Sequence, residues 1–280
     1  MSERVPRISR IARAAGGLRP RSGGEAPLDM PPPPPRRPPG WEAAPPDFVG
    51  VGFQRCGTTR WFDLLAAHPE VALPTPAKEL HYFDRFHSGG FSERDARVYA
   101  TYFPRPPGAR AGEWTPLYAS APWIPPLLAR AAPRARLLVL LRDPVERLLS
   151  GLTLATRVAA RRRSQLSRYA PLDAFARGLY HAQLAHLLEH FERSQLLVLQ
   201  YERCSREPAG ELRRTYEFLG LGDPAFLPAL EAHPRRQEQK AALDPATRAA
   251  YVEAYLPDVR RLAGEFPELD LALWPNFAAL

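Results

Sequence analysis

Three short, uninterrupted apolar runs divide the chain, each followed by helical spacing. The first, Phe48–Gly52, leads through a glycine-containing loop into residues 57–68, where Trp61, Phe62, Leu64 and Leu65 supply apolar faces and Pro69 stops the helix. The second, RARLLVLL at residues 134–141, ends at Arg142-Asp143-Pro144. It predicts a strand buried on both faces, then a helix over 145–156 with proline at its first turn. The third, QLLVLQY at 195–201, predicts another buried strand. A long helix is predicted over 172–193, a further one over 212–219 ended by Gly220, and a last one over 244–263 capped by Asp244 with Pro245 in its first turn. Strands alternating with helices give an α/β fold: a three-layer, P-loop-like arrangement with a central parallel sheet flanked by helices, occupying residues 47–280. Ligands of such sheets sit beyond the carboxyl ends of the strands. The first strand delivers Gly52–Thr59 there, and the second delivers Arg142.

Residues 1–46 break this pattern. They contain twelve prolines, and eight arginines against four acidic residues, with few aromatics. Such a segment cannot bury enough apolar surface to offset its ordering entropy, so it reads as a disordered, basic tail with polyproline character around residues 30–39. It suits an SH3-type partner or peripheral contact with a membrane surface. The whole chain carries +8, but Lys78 and Lys240 are its only lysines, against 36 arginines. An arginine and alanine bias of this kind follows from genome composition, so the charge gives no reason to expect a nucleic-acid partner. No run approaches the roughly 20 apolar residues of a membrane span. The N-terminus lacks the apolar core of a secretory signal. Two cysteines, Cys56 and Cys204, form no disulfide framework and read as free thiols in a reducing cytoplasm.

The chemistry concentrates around the first loop. A strand, a glycine loop and a helix bring backbone N–H groups and the positive end of a helix dipole to one volume, a site for phosphate or sulfate. Gly52-Phe53-Gln54-Arg55-Cys56-Gly57-Thr58-Thr59 has the glycine spacing of a nucleotide phosphate loop, with Thr58 where GxxxxGK[ST] carries lysine. Arg142 ends the second strand and Ser150 follows two helical turns later. A guanidinium and a hydroxyl suit a dianionic phosphate. Alternatively, Arg142 pairs with Asp143 or Glu146, and Ser150 is helix surface. Among the histidines only His186 and His190 share a helix face, and two ligands without a third predict no metal.

The ordered motifs GFQRCGTT and LRDPVERLLS resemble the two phosphate-binding motifs of sulfotransferases that use 3′-phosphoadenosine 5′-phosphosulfate (PAPS). Lys78-Glu79-Leu80-His81-Tyr82-Phe83-Asp84-Arg85 is similar to the KExHFFD segment of the carbohydrate and heparan-sulfate-type branch, and Glu113-Trp114-Thr115-Pro116-Leu117-Tyr118 to its EKTPxY segment. A C-terminal helix ending in Leu273-Trp274 also fits, so the likeness runs from about Asp47 to Trp274. It implies direct in-line transfer of a sulfuryl group from PAPS, as co-substrate and without metal, to a hydroxyl of a carbohydrate or glycoconjugate. Arg55, at the position of the family's loop lysine, stabilises the leaving group. Arg55, Cys56, Gly57, Thr58 and Thr59 hold the 5′-phosphate, and Arg142 and Ser150 the 3′-phosphate. Glu79 is the base, with His81 as the other candidate. Arg235 and Lys240 fall in a basic loop that closes over the donor. Trp114 replaces the motif's lysine, either to stack on an acceptor or to fill the core. Residues 86–102 and 156–170 line the acceptor cleft, the second with five arginines. The other readings are a P-loop phosphotransferase such as a small-molecule kinase, transfer to a non-carbohydrate acceptor or an amine, and a non-catalytic binder acting through the tail. The oligomeric state is left open.

Overall fold

A computed structural model describes residues 31–73, 78–222, 226–230 and 243–280, all within one compact unit, Pro31–Leu280. In chain order its elements are β1 (Glu42–Ala43), β2 (Phe48–Gly52), α1 (Thr58–Ala66), α2 (Glu93–Ala100), β3 (Pro104–Arg105), β4 (Gly112–Trp114), α3 (Ile124–Ala131), β5 (Arg136–Leu141), α4 (Pro144–Arg161), α5 (Ala170–Ala176), α6 (Tyr180–Leu188), β6 (Leu196–Gln200), α7 (Tyr201–Arg206), α8 (Pro208–Leu219) and α9 (Pro245–Glu265).

The expected parallel sheet is present. Its order is β4-β2-β5-β6, every pairing is parallel, and helices flank it. Every residue of β2 and β6, and all of β5 but Arg136, is buried. That is why these strands read as continuous apolar runs rather than alternating ones. All four carboxyl ends open toward one edge. There β2 feeds the glycine loop, β4 feeds Thr115, β5 feeds Arg142, and β6 feeds Tyr201 and Glu202.

Three features differ from the sequence expectation. The sheet has a fourth strand, β4, which pairs with β2 through Phe48↔Gly112 and Gly50↔Trp114. Three residues containing a buried glutamate carry no strand signature. The helix expected over 172–193 is broken into α5 and α6 around Gly178. A Cβ there would lie 2.6 Å from the Tyr255 hydroxyl of α9, so glycine permits the close approach. The Tyr255 hydroxyl donates to Phe175 O (2.9 Å), while the Asp258 carboxylate accepts from His181 N (3.0 Å) and Ala182 N (3.3 Å). One face of α9 therefore closes α5 and caps α6. Finally, the expected tail overlaps the fold. Glu42–Ala43 pairs antiparallel with Pro104–Arg105, and the Arg105 guanidinium donates to Ala44 O (3.3 Å) and Pro45 O (3.1 Å). Prolines lose a donor but keep their carbonyls, which is what a buried arginine needs. Residues 1–30 lie outside the described residues.

The expected caps are observed. Asp244 accepts from Thr247 N (2.9 Å), and Gly220 ends α8 in the left-handed region. The last α-helix ends at Glu265, so the helical end at Leu273-Trp274 is that of a short 3-10 turn. Trp274 is fully buried after that turn, with its indole N–H on Glu202 Oε2 (3.0 Å). No described helix is long and apolar enough to cross a membrane.

Candidate active site

The loop after β2 is shaped by two left-handed residues, Arg55 (φ 71°) and Gly57 (φ 89°). Gly57 is the N-cap of α1 and has no side chain to satisfy the first-turn N–H groups, which therefore stay available to a ligand. Nothing larger fits, because a Cβ on Gly57 would lie 2.8 Å from the Tyr201 ring. Cys56 turns the other way. Its side chain is fully buried against the Tyr180 hydroxyl (3.6 Å), its N–H donates to Phe53 O (3.2 Å), and burial pushes its thiol up to about 11. Of the five loop residues expected at the 5′-phosphate, Cys56 is thus a packing residue.

Arg55 lies across the loop, its Nε donating to Ser150 Oγ of α4 (3.0 Å). Arg142 Nη1 donates to Arg55 O (3.2 Å), and its guanidinium rests over the Tyr201 ring at 4.7 Å. The alternative pairing of Arg142 with its acidic neighbours is not what forms. Asp143 caps α4 through Val145 N (3.0 Å) and Glu146 N (3.2 Å) and accepts from Asn276 Nδ2 (2.9 Å), while Glu146 pairs with Arg248 (3.1 Å). Arg142 and Ser150 thus join Arg55 in one cationic, hydroxyl-bearing corner beside the N-terminus of α1.

The segment 78–84 closes the other side. Lys78 Nζ donates to Thr58 Oγ1 (3.3 Å) and Thr59 Oγ1 (3.4 Å), and it also reaches Glu79 Oε1 (3.5 Å). The cation missing from the loop at Thr58 is thereby supplied from another part of the chain. Burial pushes Lys78 below the ordinary lysine value, with Glu79 pulling the other way. Glu79 Oε2 lies 3.2 Å from His81 Nε2, and His81 Nδ1 lies 2.8 Å from Asp84 Oδ2. Asp84 first, then Glu79, raises His81 to about 10, so the ring is an imidazolium donating to both carboxylates. Burial acts to raise Glu79, but the bonds from His81 and the charge of Lys78 outweigh it and leave its carboxyl below the usual value. A carboxylate ionised at neutral pH can take a proton; an imidazole already protonated there cannot. The geometry therefore favours Glu79 over His81 as base and makes His81 its clamp.

Both Glu79 (φ 71°) and His81 (φ 52°) are left-handed, a conformation costing roughly 1–3 kcal/mol per residue that persists only where surroundings enforce it. The enforcement comes from β4 and the residues just after it. His81 N donates to Thr115 Oγ1 (3.4 Å) and Tyr82 N to the Tyr118 hydroxyl (3.0 Å). Both hydroxyls in turn donate to the buried Glu113 carboxylate, Thr115 to Oε2 (2.6 Å) and Tyr118 to Oε1 (3.2 Å). The EWTPLY segment thus holds the base segment. Its Trp114 is fully buried, with its indole N–H on Gly52 O (3.2 Å), so it belongs to the core and offers no surface to an acceptor.

Arg235 and Lys240 lie outside the described residues. Three contributors escaped the sequence reading. Asp84 is part of the quoted motif, and its three-residue spacing from His81 was the available signal. Glu113 was legible only as a motif letter. Tyr201 had no signal, since it reaches the loop only through the β2–β5–β6 order.

Sheet, loop and facing carboxylates define an α/β protein with a P-loop-like edge, where helix N–H groups, Arg55, Arg142 and Lys78 gather beside the Glu79 carboxylate. The sulfotransferase domain family model matches residues 45–233, and the chain belongs to that family. It is 32% identical over 187 residues to heparan sulfate glucosamine 3-O-sulfotransferase 3B1 of Mus musculus, covering 63% of this chain and 46% of the relative. To heparan sulfate glucosamine 3-O-sulfotransferase 6 of Homo sapiens it is 33% identical over 186 residues, covering 63% and 52%. The chain thus spans about half the length of these relatives. The solved sulfotransferase of Alicyclobacillus acidocaldarius superimposes with a TM-score of 0.67 at 26% identity, covering 83% of this chain and 99% of that one.

Proposed function

We propose that the chain transfers a sulfuryl group from PAPS to a hydroxyl of an amino-sugar-containing glycan. The observation that carries this reading is the double reach of Lys78, which binds the hydroxyls of the phosphate loop while flanking Glu79. It ties the donor side of the cleft to the base. The N-terminus of α1, Arg55 and Lys78 suit the 5′-phosphosulfate, and Arg142 and Ser150 suit a second phosphate, the feature that separates PAPS from an ordinary nucleotide.

In the reaction, the acceptor oxygen attacks sulfur while its proton passes to Glu79. The bond from sulfur to the phosphate oxygen breaks, and the electron pair leaves with 3′,5′-adenosine bisphosphate. Charge growing on that oxygen is met by Arg55 and Lys78 in preorganised positions. Arg55 holds its proton throughout and acts by charge alone. A cavity of about 360 Å³ adjoins the loop at Gln54 and is lined by Val158, Arg162, Ser164 and Leu166 of the predicted cleft segment, while Arg55, Lys78 and Glu79 lie outside its lining. Exposed Arg157, Arg161, Arg163 and Arg168 surround it in sequence, which favours an anionic glycan.

The test is transfer of labelled sulfate from PAPS to a panel of glucosamine-containing glycans, neutral glycans and amines, with Glu79→Gln alongside. The expected result is transfer to the anionic amino-sugar glycans, and a fall of about 10²–10⁴ in kcat with donor affinity retained in the variant. Near-normal turnover by Glu79→Gln would remove Glu79 as the base. Transfer only to amines would replace the hydroxyl acceptor.

A further inference from the structure

Away from the cleft, the C-terminal end of α6 carries a cluster that the proposed transfer does not use. The sequence there is His186-Leu187-Leu188-Glu189-His190. Glu189 N bonds back to Ala185 O and His190 N to Leu187 O, so the turn continues past Leu188. Positions 186, 189 and 190 therefore share one face. One ligand atom from each lies within 4.8 Å of those of the other two. Glu189 Oε2 is 3.0 Å from His186 Nδ1, and the two imidazole rings meet edge to face at 5.2 Å.

The other nitrogen of His186, Nε2, lies 2.9 Å from Pro122 O. A carbonyl oxygen only accepts, so Nε2 carries the hydrogen. Nδ1 is then the nitrogen turned toward the Glu189 carboxylate, where the His190 ring also converges. A histidine whose second nitrogen is pinned by a backbone carbonyl is the usual arrangement of a metal ligand.

We infer that His186 Nδ1, Glu189 and His190 form a surface site for a divalent cation of the Zn²⁺, Ni²⁺ or Cu²⁺ kind, with water completing the coordination. Two imidazoles and one carboxylate suit these ions, whereas Mg²⁺ and Ca²⁺ prefer oxygen ligands. Bonds of about 2.0–2.1 Å place tetrahedral ligands roughly 3.3 Å apart. The His186–Glu189 pair, at 3.0 Å, opens slightly to reach that separation, and side-chain rotation on an exposed turn brings in His190. The negative end of the α6 dipole adds attraction for a cation. The pair of histidines visible in the sequence gains its third ligand from Glu189. The role is structural: through Pro122 the ion fastens the end of α6 to the segment leading into α3.

The experiment is calorimetric titration of the untagged, chelator-stripped full chain with ZnCl₂, and with MgCl₂ as control. His190→Ala and Glu189→Gln are measured beside it, since both leave the His186–Pro122 bond in place, and circular dichroism checks their folding. The expected result is one Zn²⁺ per chain, no Mg²⁺ binding, and affinity weakened about tenfold or more in both variants. No Zn²⁺ binding by the parent chain, or affinity unchanged in the folded variants, overturns the site and leaves an ordinary His186–Glu189 ion pair.

Discussion

At the scale of single residues, the cleft depends on who supplies charge and who holds it still. Lys78 stands in for the lysine absent at Thr58, and His81 is a protonated clamp between Asp84 and Glu79. The ring's ordinary value of 6.5 is raised to about 10, so the protonated form is complete below 6.5 and is lost only as pH rises through about 10. Glu79 is shifted the other way, so its carboxylate persists on lowering pH to below the ordinary 4.5. The kcat/KM profile should therefore show no break near pH 6.5. Asp84→Asn removes the largest cause of the His81 shift. In that variant NMR titration should find the ring titrating closer to 6.5, with an alkaline loss of activity moving down in step. An unchanged His81 titration in Asp84→Asn would show that Asp84 does not set the clamp.

At the scale of elements, the sequence was most legible where burial is symmetrical. The continuous apolar runs of β2, β5 and β6 announce a parallel sheet, and Gly57, Gly220 and Asp244 mark helix ends by local chemistry alone. It was least legible where one element depends on a distant one. The long helix expected over 172–193 breaks because α9 brings Tyr255 against Gly178 and Asp258 onto the first N–H groups of α6, contacts some eighty residues apart in the chain. Strand β4 escaped because its central Glu113 is polar by type yet buried by partnership with Tyr99, Thr115 and Tyr118. The sequence reading offered two roles for Trp114, and only its burial decides for the core. The α9 cap gives a direct check: Asp258→Ala should cost about 1–2 kcal/mol of stability in urea unfolding, as loss of an N-cap does. A change indistinguishable from zero would mean that the cap contributes nothing.

At the scale of the whole molecule, the fold begins before the family model does. Strand β1 pairs with β3, Tyr102 donates to Pro32 O (2.7 Å), and Arg105 takes the Ala44 and Pro45 carbonyls while pairing with Asp47 (3.2 Å). A chain starting at Asp47 should therefore be less stable than one starting at Pro31, by about 1–3 kcal/mol for leaving the buried Arg105 short of acceptors. Equal melting temperatures for the two would return residues 31–46 to the role of a tail. The central claim is that the sheet edge holds two phosphates of one donor, one at α1 with Arg55 and Lys78 and one at Arg142 and Ser150. The most direct test is calorimetric titration of the purified chain with 3′,5′-adenosine bisphosphate, beside 5′-AMP and ATP–magnesium. Preferential binding of the bisphosphate, weakened in Ser150→Ala, is the predicted result. Equal affinity for 5′-AMP, or preference for ATP–magnesium, would contradict it.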